Sequence, residues 1–255
     1  MVLVAAMTAQ TALRDRDWKN DKTLFTAAVA RNPQDSDLRA NLGLVLWTAN
    51  DKAGALREWN IGLAQDGKSI WTLNNLAMAD VDQGKYAEAI EMAKRTVELR
   101  PNFSYGNLNW GAALDALGDP IAAEPHYLAA IDDSPLDWYI RNRYGEFLVK
   151  QGRLDAARVQ YEISLKTVVN SDALDNLGDV AIRDGKTSLA ESYFRQATEI
   201  EPYDAHAHYQ LVIICGNSGR DAEAIREYQL AQQTDPGADQ LGQDAKAVID
   251  RIQKK

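Results

Sequence analysis

One small residue recurs through this chain at a nearly constant interval: Ala55, Ala89, Ala123, Ala157, Ala190 and Ala224, with gaps of 34, 34, 34, 33 and 34 residues. A fixed period of that length argues against a single globular core. It points to stacked copies of one supersecondary unit, each burying its apolar face only against its neighbours. With Ser171–Asp204 as the reference copy and Ser171 as position 1, the alanines stand at position 20. On that register the copies run 36–69, 70–103, 104–137, 138–170, 171–204 and 205–236. An N-terminal helix and a degenerate first copy occupy 1–35, and a terminal capping helix occupies 237–255.

Other positions give the reason for the period. Position 8 carries Gly43, Ala77, Gly111, Gly145 and Gly178, and position 27 carries Gly62, Thr96, Ala130, Ser164, Ala197 and Ala231. Small side chains there let helix backbones approach closely, while Trp59, Tyr127, Tyr161, Phe194 and Tyr228 at position 24 fill the space beside them. Ala93 is the exception at that position. Position 15 carries Gly84, Gly118, Gly152, Gly185 and Gly219, with Asn50 in the first full copy, so a left-handed residue should end each first helix. Position 32 carries Pro33, Pro101, Pro135, Pro202 and Pro236, which cannot continue a helix; Gly67 and the Val169 region replace it twice. Each copy therefore reads as two short helices joined by a tight turn. Trp59 and Trp110 are assigned to the core, and Pro125 should bend the second helix of its copy.

The spacing Leu177-Gly178, Gly185, Ala190, Phe194, Ala197 and Pro202 resembles the tetratricopeptide repeat, and the resemblance runs from about Trp18 to Pro236. It implies an all-α, right-handed superhelical solenoid whose first helices line a concave groove through positions 2, 5, 6, 9, 12 and 13. It also implies a protein-interaction module rather than an enzyme.

At position 6 stand Asn41, Asn75, Asn109 and Asn176, interrupted by Arg143 and Gln210. An amide carries both a donor and an acceptor, so such a row suits an extended peptide backbone, and it is similar to the asparagine ladder of O-linked N-acetylglucosamine transferase. The alternative is that these amides serve solubility and local packing. Trp71, Tyr105 and Tyr139 at position 2, with His206 further along and Trp47 at position 12, offer contact area at low entropic cost, although aromatics in short helices are more often core. Asp172, Asp175 and Asp179 follow at intervals that place three carboxylates on one helix face, with Asp115 and Glu146 nearby by position. That face is either simply solvated or suited to a basic or hydroxyl-rich ligand. In repeats of the cochaperone type, Lys and Arg at positions 2, 5 and 6 grip a terminal carboxylate. Here those places hold Asp37, Ala40, Trp71, Asn74, Tyr105 and Leu108, so chaperone-tail binding is not expected.

Composition narrows the partner further. The net charge is −9, from 28 basic and 37 acidic residues, and no basic stripe runs along the chain, so nucleic acid is not an expected partner. Cys215 stands among Val212, Ile213 and Ile214 and reads as a buried, inert thiol. His206 and His208 would face apart on a helix and cannot share a metal, and no phosphate-binding loop, dinucleotide fingerprint or zinc-type cysteine pair occurs. Asp172 and Asp179 in an open groove lack the burial that would separate them into acid and base. No cofactor, metal or catalytic residue is expected.

The N-terminal stretch Met1–Met7 is apolar, far shorter than the roughly 20 residues of a membrane span, and reads as part of a packing helix. The residues Arg16, Asp17, Trp18, Asn20, Asp21, Leu24 and Phe25 resemble the junction of transmembrane-and-tetratricopeptide proteins, which are O-mannosyltransferase-like. That resemblance implies a second reading, a docking region of a larger membrane-bound glycosyltransferase whose catalytic domain is absent from this chain. The compartment would be cytoplasmic for a free-standing protein and extracytoplasmic for the second reading.

Overall fold

The computed structural model describes residues 20–235 and 240–254. The expectations for Met1–Met7, Arg16–Trp18 and Pro236 fall outside those residues. Fourteen helices and no strand occur among the described residues, an all-α repeat solenoid as expected.

The chain forms two compact units, residues 1–134 and 135–255. The first contains α1 (Asp21–Arg31), α2 (Ser36–Thr48), α3 (Lys52–Gln65), α4 (Ile70–Asp82), α5 (Tyr86–Leu99), α6 (Ser104–Ala116) and α7 (Pro120–Asp133). The second contains α8 (Trp138–Lys150), α9 (Leu154–Thr167), α10 (Ser171–Arg183), α11 (Thr187–Ile200), α12 (Ala205–Asn217), α13 (Asp221–Ala231) and α14 (Gln240–Gln253). From α2 to α13, even-numbered helices open a copy and odd-numbered ones close it. Within each unit a helix packs on its hairpin partner and on the next copy, and successive first helices such as α2, α4 and α6 touch directly.

Local chemistry sets the boundaries. Most first helices begin on a side chain that accepts their free amides: Asp35, Ser69, Asp137, Asn170 and Asp204. Each full copy then turns through a left-handed residue, from Asn50 at φ 61° to Gly118 at φ 83°. Where glycine stands at position 8, the aromatic residue opposite leaves little or no room for a side chain. A Cβ on Gly43 would lie 2.2 Å from Trp59 Nε1, one on Gly145 2.4 Å from Tyr161 Cε1 and one on Gly178 2.5 Å from Phe194 Cε1. Trp59 is buried as expected and donates from Nε1 to the Ala40 carbonyl at 3.0 Å. Trp110 departs from expectation: it is only partly buried and stacks on His126 at 4.1 Å.

A second interlock joins the helices of a hairpin between positions 4 and 23. Arg39 Nη1 meets Glu58 Oε2 at 2.6 Å, His126 Nδ1 meets Asn107 Oδ1 at 3.3 Å, Arg141 Nη1 donates to Gln160 Oε1 at 2.7 Å, and His208 Nδ1 meets Glu227 Oε2 at 2.6 Å. Arg39, Arg141 and His208 also reach the carbonyl of the proline six residues earlier, at 2.8, 2.8 and 3.1 Å. These carbonyls lie in the turn after a helix end, where the backbone offers them no ladder partner. The two copies without that proline have apolar residues instead, Leu73 with Met92 and Leu174 with Tyr193. There Arg95 Nη2 donates to the Gly67 carbonyl at 2.8 Å.

At the C-terminal end α14 lays Ala245, Val248, Ile249 and Ile252 on Tyr209, Val212 and Cys215 of α12 and on Ala224 and Ala231 of α13. A Cβ on Gly216 would lie 2.2 Å from Val248 Cγ1, so the seam closes on backbone. This helix covers apolar surface that a further copy would otherwise need to bury.

Candidate functional site

In the first unit the position-6 amides form a chain across three helices. Asn109 Nδ2 on α6 donates to the Asn74 carbonyl at 3.2 Å and to Asn74 Oδ1 at 2.9 Å. Asn74 Nδ2 donates to Asn75 Oδ1 at 3.4 Å, and Asn75 Nδ2 on α4 donates to the Ala40 carbonyl of α2 at 3.3 Å. Asn74 and Asn75 are buried, Asn109 is partly exposed and Asn41 is exposed. The donors of Asn75 and Asn109 are thus turned onto the preceding first helix. Asn41 and the outer side of Asn109 remain facing solvent. The sequence pattern gave both readings of this row, and the geometry weights it toward packing at Asn75.

Beside the amides, Trp71 on α4 is 47% exposed and meets Phe103 edge-on at 5.2 Å. Phe103, which precedes α6, is buried and lies 6.3 Å from Tyr105, with the Arg100 guanidinium 5.9 Å above its ring. Trp71 and Tyr105 therefore flank one aromatic shelf. Trp47 is partly buried against Trp59 at 5.5 Å and carries Lys52 Nζ at 4.8 Å. Phe103 was not singled out in the sequence, because it closes its copy at position 34, away from the groove positions.

In the second unit, Tyr139 on α8 is exposed and meets Trp138 edge-on at 5.9 Å. The face of α10 holds Asp172 exposed, with Asp175, Asn176 and Asp179 partly buried. Asp179 Oδ1 receives Gln210 Nε2 at 2.8 Å and faces His206 Nε2 at 3.2 Å, so α12 supplies polar partners to part of this strip. Burial and the charges of Glu201 and Asp204 raise the Asp172 carboxyl above its usual range. Glu146, paired with Arg143 at 2.6 Å, is raised by burial, with Asp172 adding to the effect. Asp115 belongs to the first unit, and Glu146 of α8 to the second with the carboxylates of α10.

Asp175 is not the solvated carboxylate that its spacing suggested. One of its oxygens is buried without a hydrogen-bond partner. Burial, then the charge of Asp204 and a hydrogen bond to it, push its carboxyl up to about 9. Asp175 therefore keeps its proton at pH 7 and directs it toward Asp204, the residue that caps α12 through the Ala207 amide at 3.1 Å. The strip presents a ligand with fewer negative charges than its three aspartates.

His208 is the other titratable group held inside this unit. Its side chain and that of Glu227 are only 4% and 10% exposed, and its two ring nitrogens face acceptors alone, the Glu227 carboxylate and the Pro202 carbonyl. Two acceptors require two N–H groups, hence an imidazolium. Burial works against that charge, but the bonds to Glu227 and Pro202 outweigh it and raise the ring above its ordinary value. Cys215 is buried, and its thiol is pushed up to about 11 by burial and by Glu223, which keeps it protonated and inert. Among the described residues no group of His, Cys, Asp and Glu has the arrangement to hold a metal, and no helix is long and apolar enough to cross a membrane.

The solenoid is similar in fold to known structures. A chain of the APC/C hetero-tetramer Cut9-Hcn1 superposes with a TM-score of 0.75 at 16% identity over 89% of this chain, which spans 45% of that one. PilW, a widely conserved type IV pilus biogenesis factor, matches with a TM-score of 0.67 at 19% identity, covering 82% of this chain and 96% of its own. A tetratricopeptide repeat protein of Parabacteroides merdae matches with a TM-score of 0.66 at 15% identity, covering 91% of each chain. Comparison with curated proteins finds no match. One tetratricopeptide repeat model matches residues 7–65, 108–163 and 176–239, and a second matches 69–100. With most of its length accounted for in this way, the chain belongs to the tetratricopeptide repeat family.

Proposed function

We propose that this repeat protein is a non-catalytic interaction module that holds an extended segment of a partner protein against its first helices. The observation that carries the reading is the shelf at Trp71. A large ring stays 47% exposed, propped edge-on by the buried Phe103, on the same helix faces as Asn41 and Asn109. A rigid, half-open indole beside solvent-facing amides supplies contact area and backbone hydrogen bonds together. In the second unit Tyr139, Asn176, Asp172 and Asp179 supply a comparable but negatively charged surface, which favours basic or hydroxyl-rich residues in the ligand.

The test is selection of short random peptides on the full-length chain, scoring Lys and Arg, Ser and Thr, and Asp and Glu separately. Basic or hydroxyl-rich sequences should be enriched. Trp71→Ala should weaken the selected peptide about tenfold, or about 1.4 kcal/mol, and Asp172→Asn with Asp179→Asn should reduce the preference for basic residues. Enrichment of acidic sequences would contradict the charge assignment. Unchanged affinity in Trp71→Ala would remove the shelf from the site.

A further inference from the structure

A second surface lies on the outer side of α7, away from the first-helix register. Positions 18, 22, 25 and 29 of the second helix are solvent-facing, and in α7 they hold Ile121, Pro125, Leu128 and Asp132, all exposed. Ile121 is 87% exposed and Leu128 44%. At position 25 the other copies carry Asn60, Lys94, Glu162, Arg195 and Gln229, and at position 18 they carry only Ala, Asp or Ser. In the other five copies these two positions are thus polar or small, and the exposed apolar residue of the same face is a single one, Val159 at position 22 of the copy at 138–170. By that standard the ridge of α7 is anomalous.

Its electrostatics are anomalous too. From Pro101 to Ile140 the sequence contains no Lys or Arg, while Asp119 stands at one end of the ridge and Asp132 and Asp133 at the other. Pro125 adds one more acceptor, because it has no N–H to return to the Ile121 carbonyl within the helix. Leu117, in the turn before α7, is also exposed. Apolar side chains two turns apart, about 10 Å, with Asp119 at one end and Asp132 and Asp133 at the other, complement a helix with an apolar stripe flanked by Lys and Arg. A symmetric contact with a second copy would set acid against acid, and an anionic lipid surface would be repelled.

We infer that the outer face of α7 is a docking ridge for a basic amphipathic helix of a partner protein. It is separate from the groove and does not depend on the groove reading. The probe is a helical peptide of Leu and Lys with leucines at i, i+3, i+4 and i+7, compared with its Leu and Glu counterpart by fluorescence anisotropy on the full chain. The Leu/Lys peptide should bind, weaken with added salt, and lose at least tenfold in affinity to Ile121→Ser with Leu128→Ser. It should also weaken in Asp132→Lys with Asp133→Lys; the Leu/Glu peptide should not bind. These surface changes should leave the helical circular dichroism intact, and Trp71→Ala should leave this binding unchanged.

Equal binding to both ridge variants would overturn the inference, as would loss of binding through Asp172→Asn and Asp179→Asn instead, which would place the peptide in the groove. A concentration-dependent dimer abolished by the ridge substitutions would assign the face to a second copy. Ridge-dependent binding to phosphatidylcholine vesicles would assign it to lipid. Either result would replace the partner helix.

Discussion

The two units of this protein are built on one register and held by different chemistry. In the first, the first helices are joined by neutral amides, running from Asn109 through Asn74 and Asn75 to the Ala40 carbonyl. In the second, the first helices α10 and α12 are joined through a carboxylate, and ion pairs join other neighbouring elements. Arg158 bridges to Asp184 at 2.7 Å; Arg220 reaches Glu191 at 2.6 Å and Glu223 at 3.2 Å; Gln210 and His206 converge on Asp179. Amide bonds respond little to pH or salt, whereas these respond to both. A solenoid is stable as a sum of neighbouring interfaces, so one repeat pattern can carry amide links that respond little to pH beside ionic links that respond to it, Arg39–Glu58 in the first unit and Arg220–Glu191 in the second among them.

The largest expected effect comes from breaking the His208–Glu227 pair. The ring's pKa is raised in the folded chain, so its contribution is fully present below about 6.5 and is lost as pH rises through the raised value. Glu227→Leu leaves the imidazolium without its counterion. It should cost about 3 kcal/mol at pH 6 and distinctly less at pH 9, measured by urea unfolding. The same position pair in the copy at 70–103 is Leu73 with Met92. Combining His208→Leu with Glu227→Met should therefore recover most of the loss and remove its pH dependence, making this hairpin resemble its apolar counterpart. A penalty of equal size at both pH values would show that the pair is not ionic.

Asp175 gives the next effect, with the opposite sign for its substitution. Its folded pKa, about 9, lies above the ordinary 3.8. The stability associated with its proton is complete below 3.8 and declines across the interval up to 9. Asp175→Asn keeps a donor toward Asp204 and abolishes the titration. It should stabilise the chain by on the order of 2 kcal/mol at pH 8 and change little near pH 4. Lower stability at pH 8 than the parent would sink the assignment of a protonated Asp175. Both His208 and Asp175 make the second unit weaken toward alkaline pH, and hydrogen exchange in α10 and α12 should report this before any change appears in α2 and α4.

The fold was legible because its determinants are repeated. Alanine at position 20, a left-handed residue at position 15 and a small residue facing an aromatic one state the same steric rule in most copies. Repetition separates such a rule from chance. The site was legible only in outline, since its chemistry depends on pairs that a position-by-position reading does not form. Asn75 looked like a ligand contact because its column is asparagine, yet the Ala40 carbonyl that occupies it lies 35 residues away. Asp175 looked solvated because i, i+3 and i+4 spacing gives a face but not a depth, and Asp204 approaches it from another helix. The position 4 and 23 interlock did have a signal in the sequence. A polar pair 19 residues apart accompanies a proline six residues before it and turns apolar where that proline is missing. Trp110 was misplaced for a related reason, because its partner, His126, makes it a stacked, partly open ring.

The smallest effect tests an amide link of the first unit. Asn75→Ala removes the bond to the Ala40 carbonyl and the acceptor for Asn74, and should cost about 1 kcal/mol, with the same value at pH 5 and pH 9 and at low and high salt. Faster hydrogen exchange should be confined to α2 and α4, because each interface stabilises mainly its immediate neighbours. If Asn75 instead serves the ligand alone, stability stays at the parent value while affinity for a selected peptide falls. If it serves packing alone, stability falls and the affinity of the folded chain is kept. Asn41→Ala is the companion, since Asn41 is exposed at the same register: it should leave stability unchanged and lower affinity. Asn41→Ala and Asn75→Ala together separate the two readings of the asparagine row, one residue for each.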